Sequence, residues 1–282
     1  MKITVGLPSR NRPAGLLSVL RAFDALATGA HEITYAVILD DDDHLTQCAW
    51  TDWERAGMLP EGVRKFVQPR LKTVNARFNF AISQCPADIY SQACDDSFPL
   101  AFHWDKLLAG AIDKIPALSW QECNDPGNAT YLVLGQKWLD AVGRFYPEYF
   151  PFWFADTWIA EVFNIAFAKP IPVVNQLQVG GKRGHTQGMR ELKFWFEFYA
   201  ATRVERIEEA QRIAKAYGFT LDARKDRADV LKRMEDGDKF QLSRVPLYEA
   251  SFNSNLGEPS EAYKAARYVA EVWMAEHEAL AA

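Results

Sequence analysis

The sequence is short of the features that mark secreted, fibrous or membrane-spanning chains. It has only four cysteines in 282 residues. Cys48, Cys85, Cys94 and Cys123 are scattered, with no C-x-x-C pair and no tight His/Cys spacing. Neither a disulfide framework nor a structural zinc site is expected, and a reducing cytoplasm suits such thiols. Positive charge is not in excess: 32 Lys and Arg stand against 37 Asp and Glu, a formal net charge of −5. That argues against a broad phosphate-neutralising surface and leaves room for a local basic groove. No apolar run is long enough to cross a bilayer. The most aromatic stretch, Phe145 to Val174, is broken by Glu148, Asp156, Glu161, Asn164 and Lys169. Met1-Lys2 leads at once into the apolar run at Ile3, so no signal peptide is expected. Internal repeats and low-complexity segments are absent too.

What is present suits a large core. Hydrophobic residues make up 49% of the chain, enough for one large α/β domain or a domain with a substantial extension. The first half alternates short apolar runs with helical patterns, the mark of βαβ units and a mostly parallel sheet. Strands are expected at Ile3 to Leu7, Ile33 to Leu39, Lys65 to Val67, Asp88 to Cys94, Ala117 to Gln121, Ala129 to Leu134 and Ile171 to Val179. Helices are expected from Pro13 towards Gly29, over Leu71 to Gln84, Leu100 to Ile112 and Gln136 to Val142, and from about Asp156. From Met189 the pattern is helical and charged. Leu192, Phe196 and Tyr199 share a face there, Gly218 is a C-cap, a helix covers Asp222 to Met234, and another starts at Ser260.

Polar clusters fall where strands end. Ser9-Arg10-Asn11-Arg12 follows the first strand, Asp40 to Asp43 the second, and Asp95-Asp96 the strand after the second helix. In an open parallel sheet the carboxyl ends of strands share one rim, and ligands bind there. Carboxylates packed this closely repel one another unless solvated, protonated or holding a cation. An oxygen-only set suits a hard ion such as Mg2+ or Mn2+, which bridges a diphosphate. Arginine between Pro8 and Pro13 suits phosphate recognition. Asp156 sits among Phe152, Trp153, Phe154 and Trp158, where desolvation raises a carboxyl pKa and favours base chemistry.

These residues resemble a known family. The opening ITVGLPSRNRP is similar to the first strand and turn of family 2 glycosyltransferases. Their GT-A fold is a Rossmann-like, mostly parallel sheet flanked by helices. The resemblance implies that Pro8, Ser9, Arg10, Asn11 and Arg12 cradle the nucleotide. VILDDDD resembles the family's second strand, whose terminal aspartate contacts base or ribose; Asp40 is the match and Asp41 the alternative. Ala76 to Asp96 is similar to the family's next helix and the strand ending in its metal-binding DxD variant. That implies Arg77 and Asp95 near the nucleotide, and Asp96 as metal ligand with Asp95 in support. PFWFADTW resembles the motif that opens the acceptor-side helix, which makes Asp156 the catalytic base of inverting transfer. His185, in a glycine-rich basic turn with Lys182 and Arg183, falls where many members place a further metal or diphosphate ligand. The chain departs from the pattern at Asp40 to Asp43 in place of an Asp-Gly-Ser turn, at Ala155 before Asp156, and at Phe80 in place of glycine.

The expectation is therefore a GT-A-like domain over residues 1–188, with a nucleotide-sugar half at 1–115 and an acceptor half at 116–188, followed by a helical extension at 189–282. The implied reaction uses Mn2+ or Mg2+ and a nucleotide-sugar donor, a UDP-sugar first. The hydroxyl acceptor is left open among glycans, small molecules and hydroxymethylated bases of viral DNA, as is the oligomeric state. Two rivals remain: a nucleotidyltransferase, which would carry a Gly-rich first loop, and a non-catalytic glycan- or partner-binding module. The basic residues of the tail, among them Arg203, Arg206, Arg212 and Lys215, alternate with acids and are expected on a solvated helix surface.

Overall fold

The computed structural model describes residues 1–70, 73–122, 129–151, 154–179, 191–221, 229, 232–239, 242–243, 245–246 and 258–281. Its contacts divide the chain into two units, Met1–Tyr146 with Pro170–Gly181, and Pro147–Lys169 with Lys182–Ala282.

The first unit is built on an eight-stranded sheet. In chain order its strands are β1 (Lys2–Ser9), β2 (Glu32–Asp40), β3 (Val63–Gln68), β4 (Ile89–Gln92), β5 (Ser97–Pro99), β6 (Ala117–Glu122), β7 (Tyr131–Gly135) and β8 (Val173–Val179). Their order across the sheet is β3-β2-β1-β4-β7-β6-β8-β5. Only β5 and β7 run against the rest, so the sheet is mostly parallel. β1 lies between β2 and β4 and is buried on both faces, as a covered central strand must be. β4 pairs with β1 only as far as Gly6, so Pro8, which has no N–H to give, lies beyond the reach of that ladder.

Side chains of β2 alternate between two layers. Tyr35, Val37 and Leu39 face a core shared with Leu16, Val19, Leu20 and Phe23 of α1 (Pro13–Leu26) and with Trp50 of α2 (His44–Arg55). Ala36 and Ile38 face the other way, onto Ala81 and Cys85 at the end of α3 (Val74–Gln84). Each fully buried large aliphatic or aromatic side chain stabilises by roughly 1.5–3 kcal/mol, so the α1–β2 layer is a main anchor of the rim above it. α4 (Trp104–Ile112) and α5 (Gln136–Val142) complete the unit, and Gly143 closes α5 in the left-handed conformation at φ 84°.

Three elements depart from the expected pattern. α2 was not anticipated; it begins directly after the acidic run. β5 is a three-residue strand paired antiparallel to β8. α4 starts at Trp104 instead of Leu100, because Ser97–Pro99 is extended and His103 is left-handed at φ 63°. Leu71 and Lys72, the expected start of the α3 helix, lie outside the described residues.

The second unit holds α6 (Ala155–Phe167), α7 (Leu192–Ala201), α8 (Arg203–Ala216) and α9 (Glu261–Ala281). Its core is aromatic, with Phe150, Trp158, Trp195, Phe198 and Tyr199 all buried. The charged tail hides a buried cation. Arg206 is fully buried, pairs with Glu161 at 2.5 Å and lies over the Tyr199 ring at 3.8 Å. This corrects the expected solvated surface for Arg206, which is core, and for Arg203, which is tied to Asp238 at 2.6 Å, while Arg212 and Lys215 are exposed as expected. Gly218 is left-handed at φ 80° beyond α8, and Ser260 caps α9 by accepting from the Tyr263 amide at 3.2 Å. Residues 232–239 are helical, so the helix expected to stop at Met234 runs on past it. Among the described residues no helix is long and apolar enough to cross a membrane.

Candidate active site

The parallel register of β1, β2 and β4 brings their carboxyl ends to one rim. The first turn leaves β1 at Ser9 and re-enters helix at Pro13, the favoured first helical position for proline. Between them Asn11 is left-handed at φ 54°, a conformation asparagine tolerates better than most residues. Its amide donates to Asp43 Oδ2 at 2.9 Å, which pins the turn to the end of β2. The start of α1 is pressed against β4: a Cβ on Gly15 would lie 2.6 Å from the Asp95 carbonyl oxygen, so only glycine fits.

Of Asp40 to Asp43, Asp41 and Asp42 are exposed and the other two are buried. Asp40 is 1% exposed and receives Arg10 Nη1 at 2.6 Å on one oxygen and the Arg77 guanidinium on the other. Asp43 is fully buried and caps α2 by accepting from the Thr46 amide at 3.0 Å. Asp42 is exposed and gripped by Arg10 through both oxygens, with Arg70 Nη1 at 3.3 Å. The hydrogen bond from Arg10 holds the Asp42 carboxyl down at about 2, and the same bond raises the Arg10 pKa. Asp41 is exposed and accepts from the Arg70 amide at 3.3 Å.

Asp95 and Asp96 share one cation. Arg12 Nη1 donates to Asp95 Oδ1 at 3.0 Å and to Asp96 Oδ2 at 2.8 Å. The second oxygen of Asp95 accepts from Ser9 Oγ at 2.7 Å. Burial pushes the Asp95 carboxyl above its ordinary range, with Ser9 and Arg12 opposing the rise. Partial burial alone would lower the Arg12 pKa, but the attraction of Asp95 leaves it raised. Two adjacent carboxylates are a fitting donor set for a magnesium-like ion, which takes one or two from a protein and the rest from phosphates and water. Among the described residues there is no cluster of three or more His, Cys, Asp or Glu groups that could hold a metal.

The rim thus unites Pro8, Ser9, Arg10, Asn11, Arg12, Asp40, Asp41, Arg77, Asp95 and Asp96. Asp156 belongs to the other unit, in the first turn of α6, which Phe154 enters left-handed at φ 69°. Its side chain keeps some solvent contact, yet the protein packed around it desolvates the carboxyl and raises its pKa. Phe154 beside it packs on Phe196 and Tyr199, with ring centroids 4.7 and 5.1 Å away. His185, Lys182, Arg183, Phe152 and Trp153 lie outside the described residues. Asn79, on the same helix as Arg77, holds backbone: its Oδ1 accepts from the Phe145 and Tyr146 amides at 3.0 and 2.9 Å.

Sequence reasoning missed Arg70, although it follows β3 as the other rim groups follow β1, β2 and β4. The same strand-end rule applied to Gln68-Pro69-Arg70 would have found it. A cavity of about 300 Å3 lined by Asn79, Ser83, Tyr90, Gln136 and Arg144 contains none of the rim residues.

No protein-family model matches the sequence, and no curated protein does so either. Solved structures do match in three dimensions. The mannosyltransferase PcManGT of Pyrobaculum calidifontis, in complex with GDP-Man and Mn2+, superposes with a TM-score of 0.53 at 13% identity, covering 99% of this chain and 80% of that one. TarS of S. aureus with UDP-GlcNAc gives 0.52 at 12% identity over 83% of this chain and 79% of the other. Glucosyl-3-phosphoglycerate synthase of Mycobacterium tuberculosis with Mg2+ and UDP gives 0.52 at 15% identity over 73% and 79%. The mostly parallel sheet, its flanking helices and these superpositions agree: the chain has the GT-A fold.

Proposed function

We propose that the chain is a metal-dependent, inverting glycosyltransferase that moves a sugar from a nucleotide-sugar, a UDP-sugar first, to a hydroxyl acceptor. One observation carries this reading: the ends of β1, β2, β3 and β4, with Arg77 from α3, bring four arginines and two groups of carboxylates to a single rim of a GT-A sheet. The solved structures of like fold contain GDP-Man, UDP-GlcNAc or UDP, which supports a nucleotide-sugar as the ligand class.

In this reading Ser9 to Arg12 and Arg77 bind the nucleotide. Asp40 acts through the arginines it holds, and the exposed Asp41 reaches the nucleoside. Asp96, with Asp95 in support and His185 as a further ligand, would hold Mn2+ or Mg2+, and such an ion would supply positive charge to a departing diphosphate. Asp156 takes the proton of the acceptor hydroxyl as that oxygen bonds to the anomeric carbon. The carbon–phosphate oxygen bond breaks in the same displacement, and its electron pair leaves with the nucleoside diphosphate. A carboxyl raised by desolvation suits a general base. The scattered thiols favour a reducing cytoplasm as the place of action.

Release of nucleoside diphosphate from UDP- and GDP-sugars with Mn2+ tests the assignment. Asp96→Ala and Asp156→Ala should each lower transfer by at least about a hundredfold, a range general-base loss commonly spans, with melting behaviour kept. Full activity in either variant removes that residue's role. No release from any donor favours the binding-module alternative.

A further inference from the structure

Every carboxylate oxygen of the rim that faces a cation has a guanidinium partner, but the ratio of charges differs between the two groups. Asp40 is one carboxylate between two arginines, Arg10 and Arg77. Asp95 and Asp96 are two carboxylates sharing the single nitrogen Arg12 Nη1. Arg10 is also shared with Asp42, which Arg70 contacts too, so three guanidiniums serve the first group, whereas the second pair of carboxylates has one. Arg12 is also fixed from behind. It stands directly before Pro13 at the start of α1, its carbonyl accepts from the Leu16 amide at 3.0 Å, and Gly15 lets this turn abut Asp95. Its guanidinium therefore lies between the two carboxylates without help from any ligand, and it keeps 34% side-chain exposure from which to turn away.

We propose that Arg12 is the resident counter-ion of the Asp95–Asp96 pair, and that it makes metal binding conditional on a diphosphate. This rests on the reading of the rim as a nucleotide-sugar site. With no ligand, Arg12 keeps the buried Asp95 and the half-buried Asp96 together and opposes entry of a second cation by charge repulsion. A diphosphate offers the guanidinium a new bidentate partner, which arginine is suited to take. Once Arg12 turns to it, both aspartates are released to a divalent ion. Arg12 is thus a positioning residue, coupling two ligands through one side chain.

The test reads metal binding without turnover. Mn2+ is titrated into the whole chain, alone and with UDP, and followed by electron paramagnetic resonance. Arg12→Gln should bind Mn2+ alone about tenfold more tightly than wild type, the order expected when a unit charge a few Å away is removed from a partly solvated site. Arg12→Lys keeps the charge and should bind Mn2+ alone like wild type. The gain in Mn2+ affinity on adding UDP should shrink in Arg12→Gln. Equal or weaker binding of Mn2+ alone by Arg12→Gln overturns the proposal, as does binding by Arg12→Lys as tight as by Arg12→Gln. Should Arg12→Gln be unfolded without metal, Mn2+ is expected to restore its melting transition, and no restoration overturns the proposal too. Failure of the nucleotide-sugar reading looks different: UDP then leaves Mn2+ affinity unchanged in wild type and variants alike, while the metal-only comparison still reports on Arg12.

Discussion

Asp40 shows how much a single rim side chain carries. It is 1% exposed and stands between Arg10 and Arg77, the latter itself buried. Removing one partner of a buried pair leaves the other charged and without compensation, a loss of about 3–5 kcal/mol. Asp40→Asn keeps the shape but removes the charge. It should lower the urea midpoint by the equivalent of about 3 kcal/mol with an unchanged slope. A variant within about 0.5 kcal/mol of wild type would mean that solvent relaxes around the arginines. The identity of these residues was open to a reader of the sequence, but their partners were not. Burial cannot be read from a run of four aspartates. It follows here from arginines that arrive from the β1 turn and from α3, tens of residues away in the chain.

Among elements, α2 is the instructive case, since its start is a rim residue. Asp43 accepts from the Thr46 amide and from the Asn11 amide, so one carboxylate caps a helix and secures the β1 turn. Asp43→Ala should cost about 1–2 kcal/mol for the lost cap, in the upper part of that range because two donors lose their acceptor. Thermal melting measures the cost. A loss confined to a few tenths would show that water replaces the carboxylate. The helix itself was legible: a capping aspartate followed by Thr46, Trp50 and Trp53 on one face is a helical signature. It was obscured because the preceding acids draw the eye to a solvated loop. β5 was out of reach for another reason. Three residues carry no period, and only pairing with β8, far along the chain, makes them a strand. The longer strands and α1, α5 and α6 could be placed because continuous apolar runs, a proline at a helix start and a glycine at a helix end each have one common structural meaning.

Over the whole molecule, composition and contacts draw different lines. Composition shifts near residue 188, whereas contacts join α6 to the tail helices: α6 packs on α8, and Trp158 donates to Glu209 at 2.7 Å. A fragment of residues 1–188 would carry α6 without the partners that bury Trp158, Ile159, Val162 and Phe163. Such a fragment should aggregate or expose hydrophobic dye-binding surface, while the whole chain melts cooperatively. A soluble fragment with a sharp melting transition would show that α6 does not need the tail helices. The division also orders events in time. Residues 147–169 leave the ribosome before α7, α8 and α9 exist, and β8, which follows them, belongs to the sheet of the other unit. Synthesis must therefore suspend one half-made core while it finishes another. For that interval the aromatic face of α6 is an exposed, sticky surface. Slow codons or a chaperone acting between residue 169 and the end of α8 should therefore influence the yield of native protein.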